Sequence, residues 1–129
     1  MKALSVRAPW WWYILHAGKD IENREWSTRF RGTIYLHASK WWQREEIGWD
    51  ADTANRIAGW QRDRERWPSE TVLKAGSGCI VGTIDIVDCV DRSDSPWFFG
   101  RYGFVLANPV VFGKPVPQKG ELGFFDVKL

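Results

Sequence analysis

The amino-acid sequence predicts an α+β fold, in which five or six strands form a small closed sheet and the helices lie mostly in the first half of the chain. Three observations support this prediction. The β-branched run at residues 78–90 has the composition of a central strand. Apolar residues recur at helical spacing between residues 40 and 67. Alternation of apolar and polar residues returns after residue 102 and indicates further strands.

The chain begins with a predicted strand followed by a helix. Residues 1–6 alternate weakly, and Pro9 then stands in the first turn of a helix that reaches Ala17. Gly18 ends this helix because glycine adopts the left-handed conformation of a helix C-terminus. Residues 19–26 form a short extended segment.

The next strand is predicted at residues 33–37, where the alternation is clean. Ile34 and Leu36 take one face, and His37 shares the other face with Tyr35. Ser39 is a plausible N-cap for a helix that begins at residue 40.

A helical insertion is predicted around residues 40–75. It comprises one or two helices over residues 40–67 and a short last helix, which Ser69 caps and Gly76 ends. The strand at residues 78–90 follows and carries Thr83 and Asp85 on a largely apolar side, where a buried carboxylate needs a partner.

Three more strands are predicted before the end of the chain, over residues 102–106, 110–116 and 122–127. Asn108-Pro109 separates the first two of them. No repeat, low-complexity segment or linker divides the sequence, so we expect one domain over residues 1–129.

The composition excludes few functions, but the chain is rich in tryptophan and its charges are unevenly distributed. The hydrophobic fraction of 44% and the charged fraction of 26% are ordinary, whereas ten tryptophans are not. Indole rings suit pocket walls and ligand-stacking surfaces. Residues 1–44 hold eight Lys or Arg against three acids, and the rest of the chain is slightly acidic. An anionic ligand would therefore meet the first third of the chain.

Cysteine and histidine usage bears on compartment and cofactors. Cys79 and Cys89 lie ten residues apart in one predicted strand, about 30 Å at 3.3 Å per residue, so they cannot bridge each other. Two free thiols suit a reducing compartment, and we expect a cytoplasmic protein without a membrane span. His16 and His37 have no Cys or His at ligand spacing, so no metal or other cofactor is expected.

The first candidate site is formed by Lys19, Glu22 and Arg24. Residues i and i+2 of an extended segment point the same way, so the carboxylate and the guanidinium would lie side by side just after the amine. Such a group is either a surface ion pair or the polar floor of a binding site. Arginine offers a fork or a stacking face, and the carboxylate can accept from the exocyclic amine of cytosine or adenine.

The spacing G-K-x-x-E-x-R, preceded by L-S-V-R-x-P-W and followed by R-G-x-I-x-L-H-A-S-K, resembles the ASCH family, whose fold is PUA-like. The residues concerned are Leu4 to Arg7, Pro9, Trp10, Gly18, Lys19, Glu22, Arg24, Arg31, Gly32 and His37 to Lys40. Weaker likeness continues through Gly78 to Cys89 and Pro117 to Gly123. The resemblance implies a small barrel that binds nucleic acid. Ala8 stands where a glutamine is expected, so that amide is missing here.

Further residues are candidates for contact with a nucleobase or a nucleic-acid backbone. Trp10, Trp26, Trp97 and Tyr102 are the candidate stacking walls, and most other tryptophans are expected in the core. The candidate backbone contacts are Arg7, Arg31, Ser39 and Lys40. For Ser39 and Lys40 the alternative is a structural role at the end of the strand.

Three hypotheses of function follow. The first is binding of single-stranded nucleic acid, mainly RNA, or of a modified nucleobase. The second is a metal-independent hydrolase with Lys19 and Glu22 as catalytic residues. ASCH relatives include single-strand ribonucleases and N4-acetylcytidine amidohydrolases, but Glu22 occupies the position of the amidohydrolase threonine, so ribonuclease activity is favoured. The third is a protein-interaction adaptor that uses the Trp-rich segment from Trp41 to Trp67.

Overall fold

The structure is a computed structural model that describes all 129 residues. Its six strands and three α-helices, numbered in chain order, are β1 (Lys2–Val6), α1 (Trp10–His16), β2 (Ile21–Arg24), β3 (Gly32–Ala38), α2 (Arg44–Ile57), α3 (Glu70–Gly76), β4 (Cys79–Val90), β5 (Tyr102–Pro117) and β6 (Phe124–Asp126). A short 3₁₀ turn, Arg64–Arg66, lies between α2 and α3. The predicted α+β class and the strand count are confirmed.

All six strands belong to one sheet in the order β2-β5-β4-β3-β1-β6, curled into a half-barrel. Only β1 and β3 run parallel, and every other pair is antiparallel. The main core fills the space between this sheet and α1, with aliphatic residues such as Leu36, Ile84 and Ile86 at its centre. The α+β fold with a small PUA-like barrel agrees with this architecture.

The helical insertion differs from the prediction at its start. Residues 40–43 are not helical, and α2 begins at Arg44 after the extended residue Gln43. Ser39 is therefore not a helix N-cap, and its Oγ instead accepts a hydrogen bond from the backbone N of Trp41 at 3.1 Å. Ser69 does cap α3, since its side chain accepts from the backbone N of Val72.

Strand β5 is longer than predicted and changes the surroundings of Asp85. The break expected at Asn108-Pro109 is absent, because Asn108 takes a φ of 55° and the strand continues through an irregular register. Asp85 is not buried in an apolar surface. Its carboxylate accepts from the Thr33 hydroxyl at 2.5 Å and from Asn108 Nδ2 at 2.9 Å, and these two bonds lower its pKa.

None of the helices is both long and apolar enough to cross a membrane. Residues of all three helices pack against the sheet in the main core. α1 packs between the sheet and α2, which brings the insertion close to the edge strand β2. The candidate site lies at this junction.

Candidate nucleic-acid interface

A cleft of about 650 Å³ opens beside β2, and we call it the Lys19 cleft. Its size is that of a small-ligand site. Its lining residues come from β1, α1, β2, α2 and the loop before β5, and they are Ser5, Val6, Arg7, Trp10, Lys19, Glu22, Asn23, Arg24, Glu25, Trp26, Thr53 and Phe99.

The floor of the Lys19 cleft is a chain of charged hydrogen bonds. Lys19 Nζ lies 3.4 Å from Glu22 Oε1, and Arg24 donates to Glu22 Oε2 from Nε at 3.1 Å. Arg24 Nη2 also donates to the backbone carbonyl of Ser5 at 2.7 Å. The predicted juxtaposition of the carboxylate and the guanidinium is therefore present, because alternate residues of β2 face the same side.

Lys19 is positioned by the end of α1 and is almost completely buried. Gly18 takes a φ of 71°, and the backbone N of Lys19 then donates to the Tyr13 carbonyl at 3.1 Å. The side chain enters the floor with 3% exposure, donates to the Ile21 carbonyl and lies 5.5 Å from the centre of the Trp10 ring. Burial lowers the pKa of Lys19, and the negative charge of Glu22 opposes this shift.

Aromatic residues border the Lys19 cleft on two sides. Trp10 lines it from α1 and donates from its indole N–H to Asp50 of α2 at 3.2 Å. Trp26 keeps 37% of its surface exposed and packs edge-on against Phe104, with ring centres 5.1 Å apart. Phe99 is 52% exposed on the opposite loop. Flat apolar surfaces thus surround the charged floor.

The structure corrects the assignment of Trp97 as a stacking wall. Trp97 is 5% exposed and belongs to a core cluster with Tyr13 and Ile21. Asn23 holds this loop in place, since its Nδ2 donates to the Trp97 carbonyl at 2.9 Å and its Oδ1 accepts from the backbone N of Phe99 at 2.8 Å. The loop therefore presents Phe99, rather than Trp97, to the cleft.

Two other predicted contacts lie outside the Lys19 cleft. Tyr102 pairs with Arg24 across the β2–β5 ladder but lines a separate depression with Ser27 and Asp88. Arg31 donates to the carbonyls of Thr28 and Phe30, so its guanidinium holds its own loop. Neither side chain lines the Lys19 cleft, so the structure does not bring these two candidates together with Lys19, Glu22 and Arg24. Arg7 does line the cleft, with its guanidinium 4.8 Å from the centre of the Trp41 ring.

Ser39 and Lys40 lie in a second cleft of about 880 Å³, which we call the Lys40 cleft. Its lining residues are Ser5, His37, Ser39, Lys40, Gly78, Pro117, Gln118, Lys119, Gly120, Glu121 and Leu122. Ser5 is the residue that lines both clefts. The candidate residues therefore form two neighbouring sites that meet at Ser5 of β1, rather than one site.

Sequence reasoning missed several lining residues. Thr53 comes from α2, and Asp50 of the same helix holds Trp10. Burial raises the pKa of Asp50. The hydrogen bond from Trp10 and the charge of Arg7 partly oppose this rise. Nothing in the local sequence of α2 connects it to β2, so these contacts had no sequence signal. No group of three or more His, Cys, Asp or Glu side chains is arranged to hold a metal ion.

Comparison with known proteins agrees with this architecture. The chain is 28% identical over 132 aligned positions to Activating signal cointegrator 1 of Homo sapiens, and 26% identical over 127 positions to the protein of the same name from Mus musculus. Each alignment covers 92% of this chain but 21% of the relative, so the chain spans about one fifth of the length of these proteins. The family model of the ASCH domain matches residues 4–109, which include the whole charged floor. The chain therefore belongs to the ASCH domain family.

Proposed function

We propose that the Lys19 cleft binds a nucleobase of single-stranded RNA, and that modified bases or free nucleosides are ligands of the same kind. The observation that carries the proposal is the combination of a charged floor with bordering aromatic surfaces in one cleft of suitable size. Membership of the ASCH family supports nucleic acid as the ligand class.

Each part of the cleft has a role in this proposal. Glu22 keeps lone pairs beyond its bonds to Lys19 and Arg24, and one of them accepts from an exocyclic base amine. Trp26 and Phe99 supply exposed ring surface for the base, and such stacking contributes about 1–3 kcal/mol per base. Arg7, which is exposed at the rim, contacts a phosphate.

A metal-independent hydrolase is the second candidate, because a lysine with a lowered pKa in a cleft is a common feature of catalytic sites. The geometry around Lys19 favours catalysis less than it favours binding. The Lys19 amine already donates to the Ile21 carbonyl and contacts Glu22, and the side chain is almost inaccessible. These contacts support a positioning role for Lys19, in which its charge orients the Glu22 carboxylate for binding.

The adaptor hypothesis has little support in the Trp-rich insertion. Between Trp41 and Trp67, the largely exposed large apolar side chain is Trp49, at 68%. One exposed side chain is not a docking patch. Cys79 and Cys89 are both unpaired, and we propose a reducing, cytoplasmic location on that basis.

Direct titration tests the proposed function. We expect labelled single-stranded RNA to bind at low salt, and Trp26→Ala to weaken binding by roughly 5- to 150-fold, the equivalent of one lost stacking contact. Trp49→Ala is the matched control, since Trp49 is exposed outside both clefts. Unchanged affinity in Trp26→Ala, or no binding of RNA or nucleosides by the wild type, would contradict the proposal.

The same samples separate binding from hydrolysis. Unstructured RNA and N4-acetylcytidine are incubated with the protein in the presence of a chelator. We expect both to be recovered intact. Cleavage or deacetylation that disappears in Glu22→Gln, with folding preserved, would favour the hydrolase instead.

A further inference from the structure

Ser5 lines both clefts, and its hydroxyl forms a hydrogen bond within the chain. Its Oγ lies 2.7 Å from Nδ1 of His37, and Nε2 of the same ring lies 2.6 Å from the Gln118 carbonyl. A carbonyl only accepts hydrogen bonds, so Nε2 carries a proton and donates. The tautomer of His37 is therefore fixed by Gln118.

The other ring nitrogen of His37 must accept. The ring is 1% exposed, and burial lowers its pKa against the opposing effect of the Gln118 bond, so the imidazole is neutral at neutral pH. Nδ1 of a neutral ring protonated on Nε2 has a lone pair and no proton. The Ser5 hydroxyl consequently donates its single proton to His37 and keeps two lone pairs.

Those lone pairs are not used within the chain, and Ser5 lines both clefts. Ser5 Oγ makes no other hydrogen bond, and a Cβ placed on Gly120 would come within 2.8 Å of it. The glycine therefore keeps a side chain away from the hydroxyl. A group that docks on Ser5 Oγ must be a hydrogen-bond donor, which excludes an unprotonated phosphate oxygen and fits a ribose 2′-hydroxyl.

Beyond Ser5, the Lys40 cleft carries the charges that a nucleic-acid backbone needs. Lys40 and Lys119 both line it, neither forms an ion pair within the chain, and Glu121 is the acid among its lining residues. The stem of Lys40 is held against Gly78, where an added Cβ would lie 2.9 Å from Cγ. The residue as a whole is exposed, so its amine is available to a ligand.

We propose that an RNA strand with one base in the Lys19 cleft crosses Ser5 into the Lys40 cleft, where Ser5 Oγ accepts a hydrogen bond from a ribose 2′-hydroxyl and Lys40 and Lys119 bind the adjoining phosphates. This inference rests on the proposed function and adds to it the discrimination of RNA from DNA. The 2′-hydroxyl is the group by which a protein distinguishes the two at a given position.

The test uses three oligonucleotides of one sequence: RNA, DNA and 2′-fluoro RNA, which keeps an RNA-like sugar but lacks the donor. We expect the wild-type chain to bind RNA roughly two- to tenfold more tightly than 2′-fluoro RNA, the range of one net hydrogen bond. DNA should bind no better than the 2′-fluoro strand. Equal affinity for RNA and 2′-fluoro RNA would overturn the inference without requiring any variant to fold.

Substitutions then assign the effect to Ser5. In Ser5→Ala the ratio of RNA to 2′-fluoro RNA affinity should fall to about one, whereas Ser93→Ala, on an exposed loop outside both clefts, should keep the wild-type ratio. A ratio that survives Ser5→Ala, in a variant with wild-type circular dichroism, would overturn the role of Ser5. Nucleoside titration separates the two proposals: if nucleosides bind but the ratio is one, this inference alone fails.

Discussion

Glu22 and Arg24 are joined across one residue of β2 by a hydrogen bond from Arg24 Nε to Glu22 Oε2 at 3.1 Å, and Nη2 of Arg24 lies 2.9 Å from the same oxygen as an ion pair. The other carboxylate oxygen faces the buried amine of Lys19. One carboxylate is therefore shared by two cations, and it is the group on which the charge balance of the Lys19 cleft depends. Removing it has different consequences from removing either cation.

Glu22→Leu should destabilise the fold more than Lys19→Met. The first change leaves a buried ammonium without a counter-ion, and breaking a buried pair in this way costs about 3–5 kcal/mol. The second leaves Glu22 with Arg24 as its partner. Urea unfolding of both variants and of the double variant gives the coupling free energy.

The double variant is the internal control for this cycle. Because it removes both buried charges, we expect it to be more stable than Glu22→Leu alone. Additive losses of unfolding free energy would mean that the amine and the carboxylate do not interact, and would contradict the arrangement of the floor.

Trp97 and Phe99 should respond to substitution in opposite ways, although they lie two residues apart. Trp97→Ala removes a ring that is 5% exposed and should cost about 3–5 kcal/mol of unfolding free energy. Phe99→Ala should change the unfolding free energy little, since the ring is half exposed, but should weaken RNA binding. Urea unfolding and RNA titration measure the two effects. Wild-type RNA affinity in Phe99→Ala would remove that ring from the interface.

The difference between these two residues illustrates what the sequence could predict. The period-2 geometry of a strand was enough to bring Glu22 beside Arg24, and the glycine at residue 18 was enough to place Lys19 before them. The loop at residues 95–100 has no periodicity. Its orientation depends on the bonds from Asn23 to the Trp97 carbonyl and the Phe99 amide, which are long-range and have no local signal.

Long-range contacts also limited how much of the fold the sequence could predict. The β-branched composition of residues 79–90 predicted β4 correctly, because composition reports burial in a sheet. Asn108-Pro109 was expected to break the next strand, but Asn108 adopts a left-handed φ within β5 and bonds to Asp85. Cross-strand pairing overrode the local turn preference there. For Ser39, the capping residue type was present but the helix began five residues later.

Acid should destabilise the chain through His37. Burial lowers its pKa below the ordinary value of 6.5, so below that pH the unfolded state binds more protons than the folded state. The free energy of unfolding should therefore fall as the pH drops from 7.5 to 5.5. Burial lowers the pKa of His16 as well, although that residue is exposed at the end of α1. His37→Gln should therefore reduce this dependence more than His16→Gln does, because His37 is 1% exposed. Identical pH profiles for the wild type and His37→Gln would contradict the assignment.

Gly120→Ala should destabilise the loop over Ser5 and His37. The added Cβ would lie 2.7 Å from His37 Cε1, closer than real contacts allow, so the loop must shift at a cost of about 1–3 kcal/mol. Gly113→Ala is the matched control, because a Cβ there meets nothing within 4 Å. Thermal unfolding compares the two variants, and equal melting temperatures would show that Gly120 is not confined.

The salt dependence of RNA binding should show whether the lysines of the Lys40 cleft contact phosphates. Each phosphate contact on a single strand contributes about 0.7 to the slope of log K against log salt concentration. Lys119→Ala should therefore reduce the magnitude of the slope by about 0.7, and Lys114→Ala, an exposed lysine outside both clefts, should leave it unchanged. Equal slopes for both variants would place the phosphates elsewhere.

The central claim is that a base enters the Lys19 cleft, and the indole N–H resonances of the ten tryptophans test it most directly. Single-stranded RNA is added to ¹⁵N-labelled protein, and the resonances are assigned by single substitutions. The account predicts that Trp10 and Trp26 shift while Trp49, which lines neither cleft, does not. Shifts confined to Trp49, or RNA binding that leaves Trp10 and Trp26 unperturbed, would contradict it.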